Sequence, residues 1–213
     1  MRMHSRIFLA AMLLASASTL AADAPQDAKV DRLADALVQM LPMGQIFQDA
    51  SAGDPNWPMQ GKPDAVTAEQ LACLRGELSV AGFKRIRLAD ARKYAAENPS
   101  RLDEDLKLLE GGAGELFGKM VKAGADEATT GSKAAPEAIL KAATSEQVLS
   151  FVTFVSDPGY ADLRKLSGYV NVLDVTRSTE ENEKSGTQLG ASLAMQFVIK
   201  AMGTCKVPPS AYM

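Results

Sequence analysis

The stretch "TSEQVLSFVTFVSDPGY", residues 144–160, decides how this chain is read. Its centre, "FVTFV", has high β propensity on its own. Its start says otherwise. Gln147 follows Thr144 by three positions, the spacing of a capping box, in which each side chain satisfies the other residue's backbone N–H. Val148, Phe151, Val152 and Val155 then recur at three- and four-residue steps, which lines one face of a helix. Cap and spacing together predict a helix. Asp157-Pro158-Gly159 ends it. Tyr160, Leu163, Leu166 and Val170 again share a helical face, so a second helix follows the break. The unit is helix, tight break, helix.

The same pattern extends outward. Val30, Leu33, Ala34, Leu37 and Leu41 predict a helix from about Asp27 to Leu41, ended by Pro42. A short helix, "GQIFQDA", should follow. Ser51 to Asp64 holds three prolines, two glycines and the only tryptophan, Trp57, and reads as a loop. Thr67 with Gln70 fits another capping box and opens a helix running toward Asn98-Pro99, weakened or bent at Gly76 and Gly82. Ser100 is placed to cap a helix carrying Leu102, Leu106 and Leu109, interrupted at Gly111-Gly112. "DEATTGSK" reads as a solvated loop, and Pro136 as the first turn of a short helix. "RSTEENEKSGTQ" is polar nearly all round and reads as an exposed helix end or a loop. Leu189, Leu193, Met195, Phe197, Val198, Ile199 and Met202 cover most of a circumference, the mark of a centrally buried helix. The tail "KVPPSAYM" should be loose. Nothing repeats with a period of 20–50 residues. The expected fold is all-α, a single helical domain of about six to eight helices over residues 23–213.

The N-terminus, "MRMHSRIFLAAMLLASASTLAA", reads as a secretory signal peptide over residues 1–22. Arg2 and Arg6 give a positive start, Ile7 to Leu14 form the apolar run, and Thr19-Leu20-Ala21 offers a small-x-small cleavage site. The run is too short to cross about 30 Å of hydrocarbon. No cysteine follows it, so no lipoprotein anchor is offered. "LGASLAMQFVIKAMG" is also too short to span, and it carries Gln196 and Lys200. The expected location is the periplasm, with no transmembrane segment in the mature chain.

Composition then excludes chemistry. Cleavage removes two of the 23 basic residues and none of the 26 acidic ones, taking the formal charge from −3 to about −5. An acidic chain is a poor partner for nucleic acid and for anionic lipid. The single histidine, His4, lies in the signal. The mature chain then has no imidazole for Ser-His or Cys-His catalysis, metal ligation or pH switching. Cys73 and Cys205 are expected to form one disulfide in an oxidising compartment. Two buried free thiols or a redox pair are the rival arrangements, and the spacing is not C-x-x-C.

The remaining candidates each have a plainer reading. Trp57 in "DPNWPMQ" has the character of a stacking residue in a binding loop, yet a loop tryptophan more often plugs a helical core. The corner Asp157-Pro158-Gly159-Tyr160, with Tyr160 as its aromatic, can bind a ligand or simply turn the chain. Met40, Met43 and Met59 are soft ligands of the Cu(I) type, but methionines usually fill cores. Glu77 in "RGELS" on an apolar helix is the carboxylate best placed for general acid work of the lysozyme kind. It lacks a marked partner and can equally pair with Arg75 or a lysine. "GGAGELFG" has no strand before it and no G-K-[ST] after it, so it is no phosphate loop.

"TSEQVLSFVTFVSDPGYADLRKL", around residues 144–166, resembles the motif of exported bacterial proteins grouped as domain of unknown function 2059. That motif is a helix ending in an aromatic pair, then Ser-x-Pro-x-Gly, then another helix. Phe154, Ser156, Pro158 and Gly159 stand near those places. Here Gly159 directly follows Pro158, and Val155 stands where the second aromatic would be. The resemblance implies an exported helical protein and brings no catalytic residues.

The reading of function is an exported, non-enzymatic module that binds another protein or a small envelope ligand, without catalytic residues, metal or cofactor. The alternative is a cell-envelope hydrolase working through carboxylates.

Overall fold

Helix α1 (Ala24–Met40) shows why the chain folds as it does. Its apolar stripe, Val30, Leu33, Ala34, Leu37 and Met40, is at most 5% exposed. Neighbouring helices close over it from several sides. The structure is a computed structural model and describes residues 24–131, 136–169 and 178–211. Among these residues every regular element is helical, and they form one all-α domain.

Pro42 ends α1, as its missing N–H requires, and stands at the head of α2 (Met43–Gly53). The loop that follows is held from outside itself. The Arg75 guanidinium donates to the backbone oxygens of Asp54, Pro55 and Trp57 at 2.6–3.0 Å. A short 3-10 turn, Pro63–Ala65, leads to α3 (Ala68–Leu78), which opens with the Thr67–Gln70 capping box.

Here the structure departs from the sequence reading. The helix expected to run on toward Asn98 breaks once, and at neither glycine. Ser79 is extended, and α4 (Val80–Glu97) starts directly after it, with Ser79 Oγ accepting the Gly82 N–H. Gly82 shapes this corner all the same. A Cβ there would lie 2.1 Å from the Glu77 carbonyl oxygen, so only glycine lets α4 fold back so tightly on α3.

α5 (Leu102–Leu108) is headed by Arg101, not by Ser100. A π-helical turn, Leu109–Ala113, joins it to α6 (Gly114–Thr130). The interruption expected at Gly111-Gly112 is this turn. Gly112 has φ +120, and a Cβ there would lie 2.4 Å from Gln147 Cγ and 2.7 Å from its Cα. α6 continues through Glu127 to Thr130 and stops at left-handed Gly131, so most of "DEATTGSK" is helix rather than loop.

α7 (Pro136–Ala142) begins at its proline. α8 (Ser145–Ser156) is the helix that opens the decisive stretch, with its Thr144–Gln147 box at 3.2 and 3.0 Å. Asp157 is extended and caps the 3-10 turn Pro158–Tyr160, and α9 (Ala161–Ser167) follows. α9 is shorter than expected, because Gly168 at φ +89 closes it. Val170 and Arg177 lie outside the described residues.

α10 (Thr179–Thr204) starts with a Ser178–Glu181 capping box, which makes the polar "STEENEK" run helical. It is not the central helix its composition suggested. Val198, Ala201 and Met202 are buried, while Met195 is 43% and Ile199 59% exposed. α10 lies along the edge, and α3 is its broadest contact. Its end is covalently held by the Cys73–Cys205 disulfide, with Cα atoms 5.7 Å apart. The tail beyond it is held as far as Ala211. Val207 and Ala211 are buried, and Gln70 Nε2 donates to the Lys206 carbonyl.

The centre of the domain lies between α1, α4, α6 and α8. Phe117 of α6 meets Phe151 and Phe154 of α8 and Tyr169 beyond α9, with ring centroids 4.6–5.1 Å apart. Phe154 and Leu163, on either side of the Asp157–Tyr160 break, are fully buried. The helix–break–helix unit thus contributes to the core with both arms.

Candidate functional site

The densest polar chemistry lies between α4, α5 and the 158–160 turn. Asp105 falls on the apolar stripe of α5, among Leu102, Leu106 and Leu109, and has no exposed surface. Tyr94 donates its O–H to Asp105 Oδ2 at 2.7 Å, and Arg101 Nη2 donates to Oδ1 at 3.3 Å. Arg101 also lies over the ring of Tyr160, 5.1 Å from its centroid, and the Tyr160 hydroxyl donates to Glu104 at 3.1 Å. Burial pushes the Asp105 carboxyl above its ordinary range, against the opposing pull of Tyr94 and Arg101. Burial, then the bond to Asp105, push the Tyr94 phenol up. A carboxyl raised by burial is the raw material of a general acid. Asp105 reaches no solvent, however, and no substrate can meet it in this conformation. The cluster ties three elements together.

The residues singled out from the sequence are scattered. Trp57 is half-buried against Phe47, with ring centroids 5.5 Å apart, and Arg75 holds its backbone. Tyr160 is 7% exposed and belongs to the cluster just described. Tyr160 therefore offers little surface to a ligand, while Trp57 keeps part of its surface open. Glu77 is paired with Arg85 at 2.7 Å, rather than with Arg75 or a lysine. It sits at the α3–α4 corner, and the Asp105 cluster on α5 involves none of its neighbours. Met40, Met43 and Met59 are all buried in the core. Among the described residues, no group of histidine, cysteine, aspartate and glutamate has the arrangement of a metal site.

One open groove of about 380 Å³ runs between α1, α2, α4 and α6. Val38, Pro42, Gly44 and Val80 form its apolar floor, and Gln39, Gln45, Glu115, Lys119 and Lys122 its rim. The rim charges are already matched: Lys119 with Glu115, and Lys122 with Asp49 and Asp126.

The outer face of α8 stands apart. Leu149 is 67% and Val152 49% exposed, one turn apart on a helix whose inner face supplies Phe154 to the core. Sequence reasoning placed Val152 on the buried face and left Leu149 out. The buried Asp105 and the Arg75 clamp were also missed. The signal for Asp105 was a carboxylate in step with the leucines of α5. Nothing local marks Arg75, because its partners lie about twenty residues away.

Comparison with known proteins does not add to this picture: no protein-family model matches the chain, and no significant match emerges among curated proteins or solved structures.

Proposed function

We propose that this chain is exported to the periplasm through a cleaved signal peptide and works there as a non-enzymatic module that contacts another protein. The observation that carries the reading is the exposed apolar face of α8, Leu149 with Val152. Single exposed apolar residues are ordinary, but two on adjacent turns of one helix form a small non-polar ridge of the kind that protein contacts cover. The resemblance around 144–166 to exported helical proteins of the domain of unknown function 2059 type points the same way. Among the described residues no helix is long and apolar enough to cross a membrane.

Two measurements test this. The mass of the protein released from periplasm should correspond to a chain beginning at Ala22 or Asp23. A full-length chain that stays with the cytoplasmic fraction would defeat the export reading. A photo-crosslinking amino acid at position 149 should give adducts of discrete mass in living cells. The same probe at position 93, whose lysine side chain is 77% exposed, should not. Equal yields from the two positions would remove α8 as the contact surface.

A further inference from the structure

Arg87 is the least comfortable side chain in the domain. It lies on α4 at the four-residue step between Phe83 and Ala91, two buried residues, and is itself only 5% exposed. Its guanidinium carbon is 5.1 Å from the ring centroid of Phe83 and 5.6 Å from that of Phe197 on α10. The two rings touch each other edge to face, 4.8 Å apart. Nη1 donates to the Leu166 carbonyl at 3.3 Å and to Asp90 Oδ2 at 3.4 Å. Both bonds are long. Nε is buried and has no hydrogen-bond partner among the described residues. Asp90 is 39% exposed, so its pairing with Arg87 is shared with water. Tyr169 is the other titratable group close to the guanidinium. Ring faces recover part of what a cation loses on leaving water, but not all of it.

The placement of α10 gives this discomfort a consequence. Phe197 packs on Phe83 and covers Arg87 from the α10 side. Lifting α10 would rehydrate Arg87 and release its Nε to water. About two turns beyond Phe197 α10 cannot leave, because Cys205 is bonded to Cys73 and the following Val207 is buried. We propose that α10 is a flap pinned at its C-terminal end by the Cys73–Cys205 disulfide, which opens from α4 at Phe197 while the rest of the domain stays folded. The flap does not depend on α8 being a contact surface. Its cause is local: one helix–helix contact that gains apolar burial and pays with an incompletely matched buried cation.

Hydrogen exchange resolved residue by residue by NMR, on the oxidised protein, tests this. Amides of 193–200 should exchange through an opening at least about tenfold more frequent than that of 33–40 in α1. Protection should rise again toward 201–205, where the pin is. Arg87→Met keeps the length and removes the charge, and it should slow exchange in 193–200 about tenfold, because it stabilises the closed flap against every state in which position 87 is wetted. The proposal is overturned if 193–200 and 33–40 open together in the wild type, or if Arg87→Met speeds exchange in α10. Should that variant not fold, the wild-type comparison decides alone.

Discussion

Replacing Gly118 by alanine tests the closest helix contact in the core. Gly118 lies in α6, where a Cβ would stand 2.1 Å from the backbone oxygen of Gln39 in α1 and 3.2 Å from its carbonyl carbon. Carbon and oxygen normally approach no closer than about 3.2 Å, so α1 and α6 would have to part by roughly 1 Å. The obstacle is backbone and cannot rotate away. Overpacking of this kind costs about 1–3 kcal/mol. Alanine also stabilises a helix interior by about 1 kcal/mol relative to glycine. The strain should win, leaving Gly118→Ala destabilised by up to about 2 kcal/mol. The same helix supplies the control. A Cβ at Gly124 meets nothing within 4 Å, so Gly124→Ala should be stabilising by up to about 1 kcal/mol. Urea unfolding followed by circular dichroism, with equal slopes for both variants, gives the two differences. Opposite signs are expected. If Gly118→Ala is as stable as Gly124→Ala, α1 and α6 do not pack at this distance.

Three further outcomes follow from the geometry. Phe154→Ala empties a fully buried aromatic position against Phe117 and should cost about 3–5 kcal/mol, while Leu149→Ala on the outer face of the same helix should change stability by less than about 0.5 kcal/mol; a larger loss from Leu149→Ala in the same unfolding assay would mean that α8 is turned the other way. Asp105→Asn isolates the buried carboxyl, whose folded pKa is raised, so its contribution is present below the unfolded value of about 4 and is lost as pH rises through the folded one. The stability of the wild type minus that of Asp105→Asn should therefore fall with rising pH over that window and then level, and a difference that grows with pH would refute the burial of Asp105. Arg75→Ala frees three loop carbonyls from one guanidinium, so the emission of Trp57, the only tryptophan, should shift to longer wavelength before any global loss of structure; an unshifted spectrum would show that packing on Phe47 alone fixes the loop.

The sequence by itself determined this protein wherever the deciding contacts lie within about four residues. The boxes at Thr67–Gln70 and Thr144–Gln147, the stop at Pro42, the interruption at Gly112 and the break at Pro158 are of this kind. Each rests on backbone groups satisfied, or denied, by immediate neighbours, so composition and spacing reveal them. Tertiary structure decided what depends on distant chain. The α3–α4 corner at Ser79 is seated against α2, where a Cβ on Gly44 would stand 2.7 Å from the Val80 Cα, and neither Gly76 nor Gly82 encodes that in its helix propensity. The 189–202 part of α10 is apolar over most of its circumference, yet it lies at the edge because the space between α1, α4, α6 and α8 is already filled. The tail is held because Cys205 meets a cysteine 132 residues away and Gln70 reaches the Lys206 carbonyl. Asp105 and Arg87 are buried for the same reason. Each shares a stripe with apolar residues, and the neighbouring helices that cover the stripe cover the charge with it.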